Sequence, residues 1–250
     1  MKQDYRETFY DSYVSTFKTE HLDTDPRVRK DALLGVKHRF GPIFKDFNRD
    51  LSILEIGCGP GYLIEYLTNL GFKDVMGIDV SEEQINLARS KGLNAKNADA
   101  IDYLSEINSK YDIIIAIDLI EHLHRGELIE LFRFVNLALH TGGMVVIHTP
   151  NGEGLFPQHI IYGDLTHSTI FTENSLKQLL HLTGFEKITM QETGPIPKNL
   201  KGIVRVFLWK FITLIAKIIR LIEAGKYHSI WTENILCTAV KLGSNKNQTK

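Results

Sequence analysis

Three glycines and an acid near residue 55 form the first group of residues that could bind a ligand. In the segment LSILEIGCGPG, Gly57, Gly59 and Gly61 fill three of five positions, and Glu55 precedes them. Glycine allows a backbone to approach a ligand closely. The spacing G-x-G-x-G differs from the dinucleotide fingerprint G-x-G-x-x-G. The segment also lacks the Gly-Lys-Ser/Thr ending that a P-loop requires. An acid beside the turn favours an amine-bearing or cationic ligand over a pyrophosphate.

Acids also stand at the ends of the following predicted strands. Asp79, Asp99 and Asp118 each end a strand region, and the fifth strand ends in His148-Thr-Pro-Asn. Ligands of parallel α/β sheets bind beyond the carboxyl ends of the strands. We therefore predict one nucleoside-binding site, in which Asp79 accepts hydrogen bonds from ribose hydroxyls and Asp99 accepts one from an exocyclic amine.

The elements that must position these residues alternate between strand and helix. Apolar runs predict strands over 52–56, 74–79, 93–97, 111–117, 143–148, 185–192 and 235–242. Periodic segments predict helices over 4–21, 26–40, 62–70, 81–90, 127–139 and 175–182. This alternation is typical of a doubly wound α/β fold, a mainly parallel sheet with helices on both faces.

Four motifs together carry a resemblance to a known family. LEIGCGPG, GIDVS, NADAIDYL and YDIIIAIDLIEHL resemble, in order and spacing, the motifs of class I S-adenosylmethionine-dependent methyltransferases, over about residues 50–193. The resemblance implies a Rossmann-like, mostly parallel seven-stranded sheet with an antiparallel last strand. It also implies a set of cofactor-binding residues: Glu55, Gly57, Cys58, Gly59, Gly61, Asp79, Val80, Asp99, Ala100 and Asp118.

Methyl transfer to a hydroxyl requires a group that takes up the proton, and histidine is the usual choice. The segment GDLTHSTIFTENSLKQLLHLTGF follows the fifth strand and resembles methyltransferases of bacterial surface polysaccharide and lipid-linked sugar assembly, as well as polyprenyl-quinone O-methyltransferases. From the candidates His122, His148, Asp164 and His167 we predict His167 as base, with Asp164 orienting it or binding the acceptor. His122 is also predicted to be catalytic. The expected acceptor is a glycan- or lipid-linked saccharide.

Two alternatives remain open from the sequence. The spacing of Asp118, Glu121 and His122 resembles the divalent-metal site of some quinone-pathway O-methyltransferases, whose bound cation would lower the pKa of a hydroxyl. The same fold without catalysis would instead serve as a binding subunit. Our main expectation includes no metal.

A long insertion, residues 194–230, separates the last two predicted strands. Over residues 200–225 it has basic residues on one side and Phe207, Phe211 and Ile218 opposite. Such a helix can lie on a membrane, cover the site or join two subunits. We predict a lid over 1–45, a core of 46–193 and 231–243, and peripheral membrane contact or a homodimer through this insertion.

Composition narrows the class of protein further. The 250 residues carry a formal net charge of −1, and only two cysteines, Cys58 and Cys237, occur. These numbers give no global attraction to nucleic acid and no disulfide framework. The N-terminus lacks the apolar core of a signal peptide, so we expect a cytoplasmic protein, with a small-molecule or glycan acceptor and no nucleic-acid partner.

Overall fold

The computed structural model describes residues 26–243, which form one seven-stranded sheet with helices on both faces. The strands are β1 (Ser52–Ile56), β2 (Asp74–Asp79), β3 (Ala95–Asn97), β4 (Tyr111–Ile117), β5 (Leu139–Pro150), β6 (Phe185–Glu192) and β7 (Asn234–Lys241). The helices are α1 (Pro26–Phe44), α2 (Tyr62–Asn69), α3 (Glu82–Ser90), α4 (Ala100–Glu106), α5 (Arg125–Ala138), α6 (Gln158–Ile161), α7 (Glu173–Leu182) and α8 (Leu200–Ala224). The helix predicted over 4–21 lies outside the described residues.

The strand order is β3-β2-β1-β4-β5-β7-β6. Strands β1 to β5 pair in parallel, and β7 runs antiparallel to both β5 and β6. The predicted Rossmann-like sheet with an antiparallel last strand is therefore confirmed. The strand order reverses between β1 and β4, and in such sheets a ligand binds beyond the strand ends at this point.

Two apolar layers, one on each face, hold the sheet in place. Ile113 and Ile115 of β4 point to the layer under α1 to α3, while Ile114 and Ala116 point to the layer under α5 and α7. All four side chains are buried. Burial on both faces explains why YDIIIAI is an unbroken apolar run, and it leaves polar side chains to the strand ends.

Several boundaries differ from those predicted from the sequence. Strand β5 begins at Leu139, four residues before the predicted strand at 143, because an irregularity in its pairing with β4 lets the chain continue through Gly142 at φ 82°. Helix α4 was not predicted. Asp99 begins it, since its side chain accepts from the backbone N–H groups of Ile101 and Asp102.

The predicted insertion contains one long helix, α8. The Asn199 side chain accepts from the Gly202 N–H at the start of α8, and Gly225 ends it in the left-handed conformation at φ 67°. Among residues 26–243, no helix is both long and apolar enough to span a bilayer.

Candidate active site

A cavity of about 510 Å³ opens at the carboxyl ends of β1, β2 and β4. Its volume suits a nucleoside-sized ligand. Nine of the ten cofactor-binding residues predicted from the sequence line it: Glu55, Gly57, Cys58, Gly59, Asp79, Val80, Asp99, Ala100 and Asp118. The tenth, Gly61, packs away from it, where an added Cβ would lie 2.7 Å from Leu93 Cδ1.

The glycine turn between β1 and α2 forms one wall of the cavity. Gly57, Gly59 and Gly61 adopt φ values of 72°, 52° and 80°, which side chains disfavour. At Gly59 an added Cβ would meet only the Gln84 side chain, at 3.6 Å, so this backbone is open to a ligand. The Gly59 N–H donates to Asp79 Oδ2 at 2.8 Å, which joins the turn to the end of β2.

Glu55 is a buried carboxyl with an unsatisfied oxygen. It is 3% exposed, and its Oε2 has no hydrogen-bond partner among the described residues. Burial, and then the charge of Asp79, raise the pKa of Glu55 well above its usual value. A ligand that places a cation against Oε2 would satisfy this atom and favour the ionised form.

Asp79 and Asp99 are held in place by backbone donors. Asp79 Oδ1 accepts from the Ser81 N–H at 2.8 Å, in addition to the bond from Gly59 to Oδ2. Asp99 uses Oδ1 to cap α4. Each carboxylate oxygen can accept more than one hydrogen bond, so both side chains keep acceptor capacity at the cavity.

Asp118 stands at the end of β4 in a strained conformation with φ 47°. Its Oδ1 lies 2.7 Å from Nδ1 of His148, which is 3% exposed and sits at the end of the paired strand β5. His148 Nε2 is buried without a hydrogen-bond partner among residues 26–243. Asp118 lines the cavity and His148 does not, so this contact can fix the orientation of the Asp118 carboxylate. Sequence reasoning missed this pair.

A hydrogen-bonded chain links Asp164 to His122 through Thr166. Thr166 Oγ1 donates to Asp164 Oδ1 at 2.5 Å and lies 2.8 Å from His122 Nδ1. Burial, and then the neighbouring His167, lower the pKa of His122 to about 4, so its ring is neutral at physiological pH. The sequence predicted that Asp164 would orient His167 or bind the acceptor, and this stays a prediction. The structure shows that Asp164 is hydrogen-bonded through Thr166 to His122.

His167 packs against His122, with ring centroids 4.8 Å apart. Its Nδ1 is buried and has no hydrogen-bond partner in the described part of the chain. The structure thus brings His122, Asp164 and His167 into one cluster. His122 also lines the 510 Å³ cavity, which places this cluster beside the cofactor-sized space.

Glu121 is the fourth member of this cluster. Its Oε2 accepts from Thr149 Oγ1 at 3.0 Å, and burial followed by the charge of Asp118 raises its pKa well above the usual value. Ligand atoms of Glu121, His122 and His167 all lie within 4.8 Å of one another. Nitrogen and oxygen donors of this kind suit a divalent cation. This group of possible metal ligands includes His167, whereas the group suggested by the sequence included Asp118 instead.

Comparison with known proteins identifies the family of this chain. Residues 27–190 match the family model described as a methyltransferase domain, so the chain belongs to that family. A solved structure of a SAM-dependent methyltransferase from Archaeoglobus fulgidus has a TM-score of 0.67 at 22% identity, covering 92% of this chain and all of that one. Magnesium protoporphyrin IX methyltransferase from Synechocystis PCC 6803, solved with bound SAM, has a TM-score of 0.58 at 14% identity, covering 96% of this chain and 100% of that one.

Sequence relatives are named for a more specific reaction. Ubiquinone biosynthesis O-methyltransferase of Sinorhizobium medicae is 27% identical over 150 residues, which cover 56% of this chain and 51% of that protein. The protein of the same name from Rickettsia canadensis is 28% identical over 201 residues, covering 70% and 80%. The chain spans about half the length of the first curated relatives it matches. The cofactor of this family is S-adenosylmethionine, and a buried, half-satisfied Glu55 beside an open glycine backbone fits its ammonium group.

We expect Glu55→Gln to weaken the binding of S-adenosylhomocysteine about tenfold or more, because a neutral amide cannot pair with the ligand ammonium. The unfolding free energy should be unchanged or higher, since the variant no longer buries an ionisable group. Calorimetric titration of both proteins measures the affinities. In the wild type the affinity should rise with pH, because binding favours ionised Glu55 and releases its proton. Equal affinities for the two proteins would contradict this role of Glu55.

We expect the neutral His122 ring to make stability depend on pH. The unfolded pKa is about 6.5 and the native pKa is about 4, so the unfolded state binds the proton more readily. The contribution of His122 is present above pH 6.5 and is lost as the pH falls towards 4. When the pH is lowered from 7 to 5, the unfolding free energy of the wild type should therefore fall by about 2 kcal/mol more than that of His122→Asn. Denaturant unfolding at both pH values measures this, and parallel losses would contradict it.

Proposed function

We propose that this chain transfers the methyl group of S-adenosylmethionine to a hydroxyl oxygen of an acceptor bound beside His122 and His167. The observation that carries the proposal is the continuity of the two sites. The cavity lined by Glu55 and Asp79 reaches His122, which belongs to the cluster with Asp164 and His167. A donor and an acceptor can therefore be held side by side, and such positioning supplies much of the catalysis in a displacement reaction.

The cofactor-binding roles follow from the contacts at the strand ends. Glu55 would hold the methionine ammonium, and Asp79, fixed by two backbone donors, would accept the ribose hydroxyls. Val80, Asp99 and Ala100 would surround the adenine, and Asp118 would lie under the methionine portion. When bound, the cofactor supplies an electrophilic methyl group on a sulfonium.

In the proposed mechanism the acceptor hydroxyl loses its proton to a histidine as the oxygen attacks. His122 is a weak proton acceptor because its pKa is about 4. We therefore assign the base to His167, whose buried Nδ1 has no competing hydrogen bond among the described residues. His122, fixed through Thr166 by Asp164, packs against His167 and positions its ring.

Two acceptor classes are proposed. The sequence after β5 favours a saccharide, glycan- or lipid-linked. The names of the relatives favour the phenolic hydroxyl of a quinone precursor, which a cation held by Glu121, His122 and His167 would help to ionise. A purely binding role is a third reading, and the intact set of polar groups around the cavity speaks against it.

The accessory segments are proposed to serve acceptor delivery. Helix α1, in the predicted lid, contributes Val36 and Arg39 to the cofactor cavity. Helix α8 presents its apolar side outward: Phe207, Phe211 and Ile218 are each more than half exposed. A soluble helix normally buries this side. We propose that α8 lies on an anionic membrane surface, which would bring a lipid-linked acceptor to the site; pairing of two copies through α8 is the alternative.

We expect His167→Gln to lower kcat by about 10² or more, because the proton acceptor is lost, while the affinity for S-adenosylhomocysteine stays unchanged. The assay measures transfer of radiolabelled methyl from the cofactor to lipid-linked sugar pools and to catechol acceptors, with product identification by mass. His181→Gln, at an exposed histidine of α7, is the matched control and should retain wild-type turnover.

Three outcomes distinguish between the two acceptor classes and a purely binding role. Loss of activity with EDTA and recovery with magnesium or manganese would favour the metal-assisted catechol reaction. Activity on sugars that is indifferent to EDTA would favour the saccharide. Failure of the wild type to bind S-adenosylhomocysteine would contradict methyl transfer altogether.

We expect the wild type to float with vesicles containing anionic lipid and the triple variant Phe207→Gln, Phe211→Gln, Ile218→Gln to stay in the soluble fraction. The exposed apolar side of α8 would insert into the interface, and its basic residues would attract the anionic headgroups. Leu137→Gln with Leu182→Gln, two other exposed leucines, is the control and should float. Equal flotation of the triple variant and the wild type would contradict membrane contact through α8.

A further inference from the structure

A second cavity, of about 300 Å³, lies between α8 and the start of β7. Arg205 and Trp209 line it from α8, and Thr232 and Glu233 line it from the segment that leads into β7. Arg39 of α1 lines both this cavity and the 510 Å³ cofactor cavity, so the two spaces meet at its side chain.

Two buried nitrogen donors of the second cavity have no acceptor among the described residues. Arg39 Nε and Trp209 Nε1 are buried, and neither has a hydrogen-bond partner among residues 26–243. The Arg205 side chain makes no hydrogen bond or ion pair with any described residue. A buried donor without an acceptor is costly, so two such donors at one cavity favour a ligand that supplies the acceptors.

The charges at this cavity also favour an anion. Arg39 and Arg205 bring two guanidinium groups, and Glu233 is the acid in the lining. Glu233 Oε1 lies 3.6 Å from Nδ1 of the exposed His159, a residue outside the cavity lining. Burial lowers the pKa of Arg39, and the charge of Asp118, which lines the cofactor cavity, opposes this shift. Asp118 Oδ1 is itself within hydrogen-bond distance of His148 Nδ1.

We propose that the second cavity binds an anionic oxygen group of the acceptor, a phosphate or a carboxylate, through Arg39, Arg205 and Trp209. Planar guanidinium groups bind such groups with paired hydrogen bonds. The exposed Phe156 ring in the lining provides an apolar contact for the adjoining part of the molecule. This inference rests on the proposed methyl transfer for its purpose: an anion held beside Arg39 would direct the rest of the acceptor towards Asp118 and His122.

The test is calorimetric titration of the full chain with three small probes, phenyl phosphate, benzoate and the neutral benzamide, with and without S-adenosylhomocysteine. The first two probes separate the phosphate and carboxylate forms of the ligand. The variants are Arg205→Gln, which removes a charge, and Trp209→Phe, which removes one N–H and keeps an aromatic ring. Arg133→Gln, at an exposed arginine of α5, is the matched control.

We expect at least one anionic probe to bind tenfold or more tightly than benzamide, with a tenfold loss in Arg205→Gln, a several-fold loss in Trp209→Phe and none in Arg133→Gln. Affinity for S-adenosylhomocysteine should be the same in all four proteins, which shows that the variants are folded. Equal binding of the three probes, no binding of either anion, or equal losses in Arg205→Gln and Arg133→Gln would overturn the proposal. If the anion binds and no methyl transfer is found, only the proposed function fails.

Discussion

The parallel pairing of β1, β2 and β4 is the constraint on which the site depends. Both faces of these strands are covered by helices, so their interiors are apolar and their polar residues gather at one edge. Glu55, Asp79 and Asp118 meet there because parallel strands end on the same side. Burial, and then the charge of a neighbouring aspartate, raise the pKa values of Glu55 and of Glu121 nearby. A cationic ligand beside such a carboxyl would stabilise its ionised form.

The sequence predicted the parts of the molecule that depend on local pattern. The apolar runs placed β4 and β6 at their observed bounds, and nine of the ten residues predicted to bind the cofactor line the cavity. The family resemblance implied that Gly61 is a cofactor-binding residue. Its contacts depend on how α3 and Leu93 pack beneath it, which the local pattern does not specify.

The parts that escaped prediction depend on pairing across the sheet or on long loops. The Asp118–His148 pair requires the register in which Ile117 lies beside His148. The contact between Thr166 and His122, which joins Asp164 to His122, spans 44 residues and depends on the path of the chain after β5. The amphipathic pattern of α8 was evident from the sequence, but which side faces the sheet was not. Gly202 and Thr213 are its buried residues, and its apolar side faces outward.

These features suggest how acceptor and cofactor are brought together in the proposed reaction. The cofactor cavity, the histidine cluster and the second cavity adjoin one another around Arg39 and His122. Helix α8 lines the second cavity with Arg205 and Trp209 and exposes its apolar side to the surroundings. An acceptor with an anionic group and an apolar chain would match both properties of this helix.

The central claim, that the strand-end edge binds S-adenosylmethionine through a buried acid, is tested most directly by infrared difference spectroscopy. The carbonyl band of a protonated carboxyl should be present in the free chain and should disappear when S-adenosylhomocysteine binds, because the ligand ammonium ionises Glu55. The same difference should be missing from Glu55→Gln. A wild-type spectrum that shows ligand binding without loss of a carboxyl band, or the same loss in Glu55→Gln, would contradict the account.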